Sequence, residues 1–115
     1  NWNDAIVLVE GVFDAIRAGY NTIPLLGSTL NIKSVLFNKI IDNGSTVYLA
    51  LDPDVRIKEN KIAIELMKYG AEVFRICIDG YEDVGDMPRD VFLKRKEAAR
   101  QISREECMLE YVFQA

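Results

Sequence analysis

The order of apolar runs and helical patterns predicts an α/β fold: a parallel sheet of about four strands, helices on both faces, and further helices at the C-terminal end. Three observations carry this expectation. Apolar runs rich in β-branched residues recur at residues 5–9, 46–51 and 73–78, as in strands buried on both faces. Stretches of helical periodicity alternate with them. A glycine (Gly19, Gly44 or Gly70) closes each helical stretch shortly before a strand, where a left-handed C-terminal cap is wanted.

The first strand is Ala5-Ile6-Val7-Leu8-Val9, far shorter than the roughly 20 residues that span a bilayer. A short helix follows over about residues 12–18. The next strand, residues 22–26, contains Pro24, which has no N–H for a ladder and so confines the strand to an edge. Leu36, Phe37, Ile40 and Ile41 mark a second helix, and Ile62, Ala63, Leu66 and Met67 a third, each with apolar residues returning on one face. Residues 79–88 lack periodicity and read as a loop. A basic helix is expected over residues 89–101, and Ser103-Arg104-Glu105-Glu106 reads as a capping box opening a last short helix. No internal repeat and no low-complexity linker interrupts the pattern.

The chain has 115 residues, half of them hydrophobic, which suits one domain over residues 1–115 with a core of its own. Its first residue is Asn1, and no charged-then-apolar leader follows, so it reads as a piece of a longer protein without a secretion signal. There is no histidine, and Cys77 and Cys107 lie far apart. That excludes a Cys/His zinc site in this chain, and Ser-His-Asp or Cys-His triads with it. The two cysteines are expected to be reduced, in a cytoplasmic protein without a membrane segment. Chemistry is left to carboxylates, lysines, hydroxyls or metal ions. The net charge of −4 argues against the chain gripping a nucleic-acid backbone by itself. Lys94, Arg95, Lys96, Arg100 and Arg104 form a basic cluster, either a solvated helix face or a rim that steers a template or a neighbouring domain.

Ligands of open parallel sheets bind outside the carboxyl ends of the strands, and here three of the predicted strands end in acids. Glu10 closes the first, with Gly11 and Asp14 just beyond; Asp52-Pro53-Asp54 closes the third; Asp79 closes the fourth and leads into Glu82-Asp83-Val84-Gly85-Asp86. Carboxylates gathered at one edge raise one another's pKa unless a cation intervenes. Magnesium suits such a place because it takes oxygen ligands, commonly one or two carboxylates plus substrate phosphates. Two such ions about 4 Å apart could stabilise the attacking and leaving oxygens of a displaced phosphate. Each acid also has a plainer reading. Asp52-Pro53 could be a helix cap with proline at the first helical position, Asp14 a first-turn acid facing the helix dipole, and the acidic loop a solvated turn. Glu10 is harder to set aside, since glutamate is a poor cap.

In this order the motifs resemble those of the Toprim domain of bacterial- and phage-type DNA primases. Val9-Glu10-Gly11-Val12-Phe13-Asp14 is similar to the first Toprim motif, Leu26-Gly27-Ser28-Thr29 to the turn after the second strand, Leu51-Asp52-Pro53-Asp54 to the Asp-x-Asp motif, and Glu82-Asp83-Val84-Gly85-Asp86-Met87 to the acidic third motif in its phage style. The resemblance covers about residues 5–91; residues 92–115 read as a helical C-terminal extension. It implies a Toprim-like, Rossmann-like sheet and a magnesium-dependent nucleotidyltransferase, with manganese able to substitute. Glu10 would be the general acid/base or a metal ligand, and Asp52 and Asp54 would coordinate magnesium, assisted by Asp14, Asp83 or Asp86. Gly11, Gly27 and Ser28 would line the substrate's approach. The implied partners are a single-stranded DNA template and nucleoside triphosphates, met through the full-length protein, and a replicative helicase. Two departures stand out. Val55-Arg56-Ile57-Lys58 follows Asp-x-Asp where primases usually carry small residues, and the zinc module and basic polymerase lobe of such primases are absent from these residues. The isolated chain is therefore not expected to make primers alone.

Other readings remain open at this point. A nuclease, ribosomal-RNA maturase or topoisomerase of the Toprim kind would share the metal site. A response-regulator receiver shares the size and acids, but wants a hydroxyl residue after the fourth strand and a Lys-Pro after a fifth; Asp79-Gly80 stands at the first place and no Lys-Pro occurs. A haloacid-dehalogenase-like phosphatase would use Asp52 as nucleophile and Asp54 as general acid, but that family carries the motif on its opening strand.

Overall fold

The computed structural model describes residues 1–25 and 35–114. Along the chain run β1 (Ile6–Val9), α1 (Val12–Ala18), β2 (Thr22–Pro24), α2 (Val35–Asp42), β3 (Val47–Leu49), α3 (Arg56–Lys68), β4 (Val73–Arg75), α4 (Arg89–Glu97), β5 (Arg100–Gln101) and α5 (Arg104–Gln114). Single 3₁₀ turns stand at Pro53–Val55 and Val84–Asp86. The strands form one mixed sheet in the order β2-β1-β3-β4-β5. β1 to β4 are mutually parallel and β5 is antiparallel to β4.

Alternation along the central strand divides the core in two. Ile6 and Leu8 of β1 face a cluster with Phe37 and Ile40 of α2, Ile62, Ala63 and Leu66 of α3, and Cys107 of α5. Val7 and Val9 face the opposite way, against Ala18 of α1, Phe92 of α4, and Val84 and Met87 of the loop between β4 and α4. All four β1 side chains are therefore buried, because successive residues of a strand point to opposite faces and both faces are covered. Helices do lie on both sides of the sheet, as the continuous apolar runs implied. β2 is an outer strand, and Pro24 sits in register with Val9 at its end.

Gly44 and Gly70 have φ of +61° and +95°, the backbone conformation their place after α2 and α3 calls for. Among the described residues, no helix is long and apolar enough to cross a membrane.

The sheet is the mostly parallel one expected, with a fifth strand added to the expected four or so; the basic helix, expected to about residue 101, ends earlier, at Glu97. The last turn tightens at Ala99, whose N–H donates to Lys96 O at 3.1 Å. Beyond it, Ile102 is buried and its N–H donates to Val73 O at 3.0 Å. Seating Ile102 in the core draws Arg100 and Gln101 against the open edge of β4, whose backbone groups gain partners there. The capping box is half formed: Glu106 N–H donates to Ser103 Oγ at 3.1 Å, while the Glu106 carboxylate pairs with Arg100 at 3.4 Å. Cys77 is exposed although it stands within an apolar run; Cys107 is buried, and both are free thiols.

Candidate functional site

The chain leaves β1 for β2 on one side and leaves β3 for β4 on the other. The adjacent carboxyl ends of β1 and β3 thus form the topological switch point at which open α/β sheets hold ligands. Glu10 follows β1 directly, and Asp52 and Asp54 flank the proline that begins the 3₁₀ turn after β3.

Asp52 stands at the cap position of that turn, but its side chain makes no capping hydrogen bond. Its Oδ1 is buried and has no hydrogen-bond partner among the described residues. The N–H of Val55, one of those a capping side chain accepts from, donates to Asp52 O at 3.0 Å instead, so the local backbone leaves this carboxylate unclaimed. Burial pushes the Asp52 carboxyl up to about 6, and the charges of Asp14, Asp83, Glu10 and Asp54 add to the shift. The sheet topology brings these acids, distant in sequence, into one electrostatic neighbourhood.

Asp52, Asp54, Tyr81, Glu82 and Asp83 line an open depression of about 410 Å³. Asp54 and Glu82 are exposed, and Asp83 is half-buried. Asp83 Oδ1 accepts the N–H of Asp86 at 3.0 Å and so caps the Val84–Asp86 turn. Asp86 is exposed and does not line the depression.

Asp14 is buried, and backbone donors occupy both of its oxygens: Gly11 N–H reaches Oδ2 at 3.0 Å and Gly85 N–H reaches Oδ1 at 2.7 Å. It clasps the start of α1 to the acidic loop, a positioning task that fits its place in the first helical turn. A Cβ at Gly85 would come within 3.1 Å of Asp14 Oδ1 and 3.2 Å of Asp83 Oδ1, so the absence of a side chain there permits the clasp. Gly11 has an extended φ of −126°, which any residue adopts. Gly27 and Ser28 lie outside the described residues.

Glu10 is mostly covered, and its carboxylate is met by Lys58 Nζ at 3.3 Å. Lys58 belongs to the first turn of α3, in the segment where the resemblance wanted small residues. An ammonium therefore neutralises the first acid of the set.

A second charged group, which sequence reasoning missed, fixes the helix that follows Asp54. Arg75 of β4 pairs with Glu59 at 2.7 Å and Glu110 at 3.2 Å, and donates to Asn60 Oδ1 at 2.6 Å. Asn60 in turn donates to Glu110 at 3.1 Å. Burial raises the Glu59 carboxyl above its ordinary value even though Arg75 and Arg56 pull the other way. The one signal available in the sequence was Arg75, a lone charge inside an otherwise apolar strand.

Among the described residues no three His, Cys, Asp or Glu side chains form a ready-made ion cage. Magnesium demands less: it keeps several waters and takes one or two carboxylates together with substrate phosphates. The unclaimed oxygen of Asp52, with Asp54 beside it on the same turn, meets that requirement.

One solved structure is similar to the chain, the crystal structure of the Aquifex aeolicus primase containing its zinc-binding and RNA polymerase domains. The match has a TM-score of 0.67 at 22% identity and covers 87% of this chain. The fold is shared with part of a primase. This chain spans 27% of that one, so the likeness concerns a single unit of a larger enzyme. No protein-family model and no curated protein sequence matches the chain.

Proposed function

We propose that this chain is the Toprim-type catalytic domain of a DNA primase, a reading carried by the unclaimed carboxylate oxygen of Asp52 at the switch point of a primase-like fold. Asp52 and Asp54 would hold magnesium, with Asp83 next to them in the same depression. Bound there, the ion would supply charge stabilisation to a phosphate undergoing displacement. Glu10 would hold or move a proton, with substrate phosphates drawing Lys58 away from it. Asp14 keeps the acidic loop against α1 and leaves the chemistry to the others. Template and nucleoside triphosphates would be bound largely by the rest of the full-length polypeptide, since the chain carries a net charge of −4. A replicative helicase is the natural partner of such an enzyme, and the bacterial or phage-infected cytoplasm its setting.

The test is ribonucleotide incorporation on a single-stranded DNA template by the polypeptide that carries this chain. Incorporation should require magnesium or manganese. Glu10→Gln, Asp52→Asn and Asp54→Asn should each lower it by roughly 10²–10⁴-fold, the range for removing a proton-transfer or charge-stabilising group. Metal-dependent cleavage of the strand without incorporation would instead assign the same site to a Toprim nuclease. Incorporation that survives all three substitutions would place the chemistry elsewhere.

A further inference from the structure

We infer that a cavity beside the acidic depression, walled by four arginines, is a binding site for phosphate oxyanions. It measures about 290 Å³ and is lined by Arg56, Arg75, Arg95 and Arg100, with Cys77 and Asp79 among the remaining walls. That volume lies just below the roughly 300–1,000 Å³ of drug-sized ligand sites, enough for a phosphate group. The inference is independent of the metal reading, because it concerns different side chains and a ligand of opposite charge.

The site is assembled by elements that are separate in sequence. Arg56 opens α3, Arg75 ends β4, Arg95 comes from α4 and Arg100 from β5. The early end of α4 is what allows this: in a helix continuing to residue 101, Arg100 would not lie in register with Arg75. Arg95 is held ready by two contacts. Its Nη1 donates to Cys77 O at 2.9 Å, and its guanidinium lies 5.8 Å from the centre of the Tyr81 ring. A guanidinium has five N–H groups in a fixed fork, so these contacts leave donors for an oxyanion, and the fork matches phosphate geometry.

Charge decides which arginines matter. Arg56 and Arg75 are already paired with Glu59 and Glu110, although neither carboxylate lines the cavity. Among the described residues Arg95 has only neutral hydrogen-bond partners. Arg100 pairs with Glu106 across a solvent-exposed 3.4 Å contact, which costs little to exchange for a phosphate. Arg95 and Arg100 are therefore the residues that bind, while Asp79 limits affinity and keeps the site selective for strongly charged anions. The cavity and the acidic depression share two chain segments: the turn from β3 into α3 gives Asp52 and Asp54 to one and Arg56 to the other, and the loop after β4 gives Asp83 to one and Asp79 to the other. A phosphate held by the arginines would thus belong to the same extended ligand, either a nucleotide's polyphosphate tail or the backbone of a nucleic-acid strand.

Amide chemical shifts of the chain, followed by NMR in EDTA during titration with inorganic tripolyphosphate, ATP and an oligodeoxythymidine, test this without any contribution from a metal. Saturable shifts should centre on Cys77, Asp79, Ala98 and Arg100, and the tighter of ATP and the oligonucleotide identifies the source of the phosphate. Arg95→Ala should weaken binding about tenfold or more, Arg95→Lys less, and Arg100→Ala measurably. Arg100 lies at an exposed edge, so its variant serves even where R95A folds poorly. Arg104→Ala, which removes a charge outside the cavity, should leave affinity unchanged. No saturable shift at these amides with any of the three ligands, or equal weakening by R104A, would overturn the assignment.

Discussion

Arg75→Ala should destabilise the fold by about 3–5 kcal/mol at neutral pH, the usual consequence of deleting one partner of a buried ion pair. Glu59 is almost completely buried, and Arg75 is its nearest counter-ion at 2.7 Å. Without Arg75, Glu59 keeps Arg56 at 3.5 Å, and Asn60 and Glu110 each lose the donor that ties them to β4. For a domain of this length the loss corresponds to a fall in melting temperature on the order of 10–20 °C. The effect depends on pH in a definite direction. Burial already raises the Glu59 carboxyl, and removing Arg75 raises it further, so the folded variant binds a proton more readily than the unfolded chain. Its stability should therefore recover as pH is lowered and worsen as pH rises. The double variant R75L/E59L, which buries no lone charge, should recover much of the loss. Urea unfolding at pH 5 and pH 8 measures all of this; a loss below about 1 kcal/mol for R75A would mean that the network behaves as surface ion pairs do.

Asp52→Asn is expected to act in the opposite direction: the variant should melt above the wild type when metal is chelated at neutral pH. Burial and four neighbouring acids lift the Asp52 carboxyl from its ordinary 3.8 to about 6. The folded chain therefore binds that proton more tightly than the unfolded chain does. The resulting stabilisation is fully present below about pH 4 and is lost as pH rises through 6. A shift of this size corresponds to about 3 kcal/mol at most, and solvent screening at an open site reduces it to about 1 kcal/mol. The variant should gain about 3–6 °C at pH 7.5 in EDTA and nothing at pH 4. Magnesium narrows or closes that gap. At ten times its dissociation constant, bound metal stabilises the wild type by about 1.4 kcal/mol, and the variant should gain less. A carboxylate serving only as a cap gives another outcome, a variant no more stable than wild type in EDTA and an equal response to magnesium.

The parts of the fold that were legible in the sequence are those set by local patterns. Ile6 to Val9 announce a doubly buried strand because both faces need apolar side chains, and Pro24 announces an edge because it lacks a donor. β5 was not legible: its two residues, Arg100 and Gln101, are exposed, and no glycine follows Glu97 to mark the end of α4. What places them is Ile102 entering the core, a tertiary event. The candidate site divides in the same way. Glu10, Asp52 and Asp54 could be read from their places at strand ends, because parallel topology gathers such ends. The clasp from Asp14 to Gly85 could not, since it depends on the path of an aperiodic loop anchored by the buried Val84 and Met87. The contact between Lys58 and Glu10 showed only as a departure from the expected small residues, without its partner.

On the proposed function, a hard divalent cation binds at the carboxyl ends of β1 and β3. Titrating the chain with manganese and following paramagnetic broadening of its amide signals tests this most directly. Broadening should centre on residues beside Asp52, Asp54 and Glu10, and excess magnesium should restore the lost signals. Broadening centred on Glu97 or Glu105 instead, with the Asp52 turn unaffected, would contradict the claim.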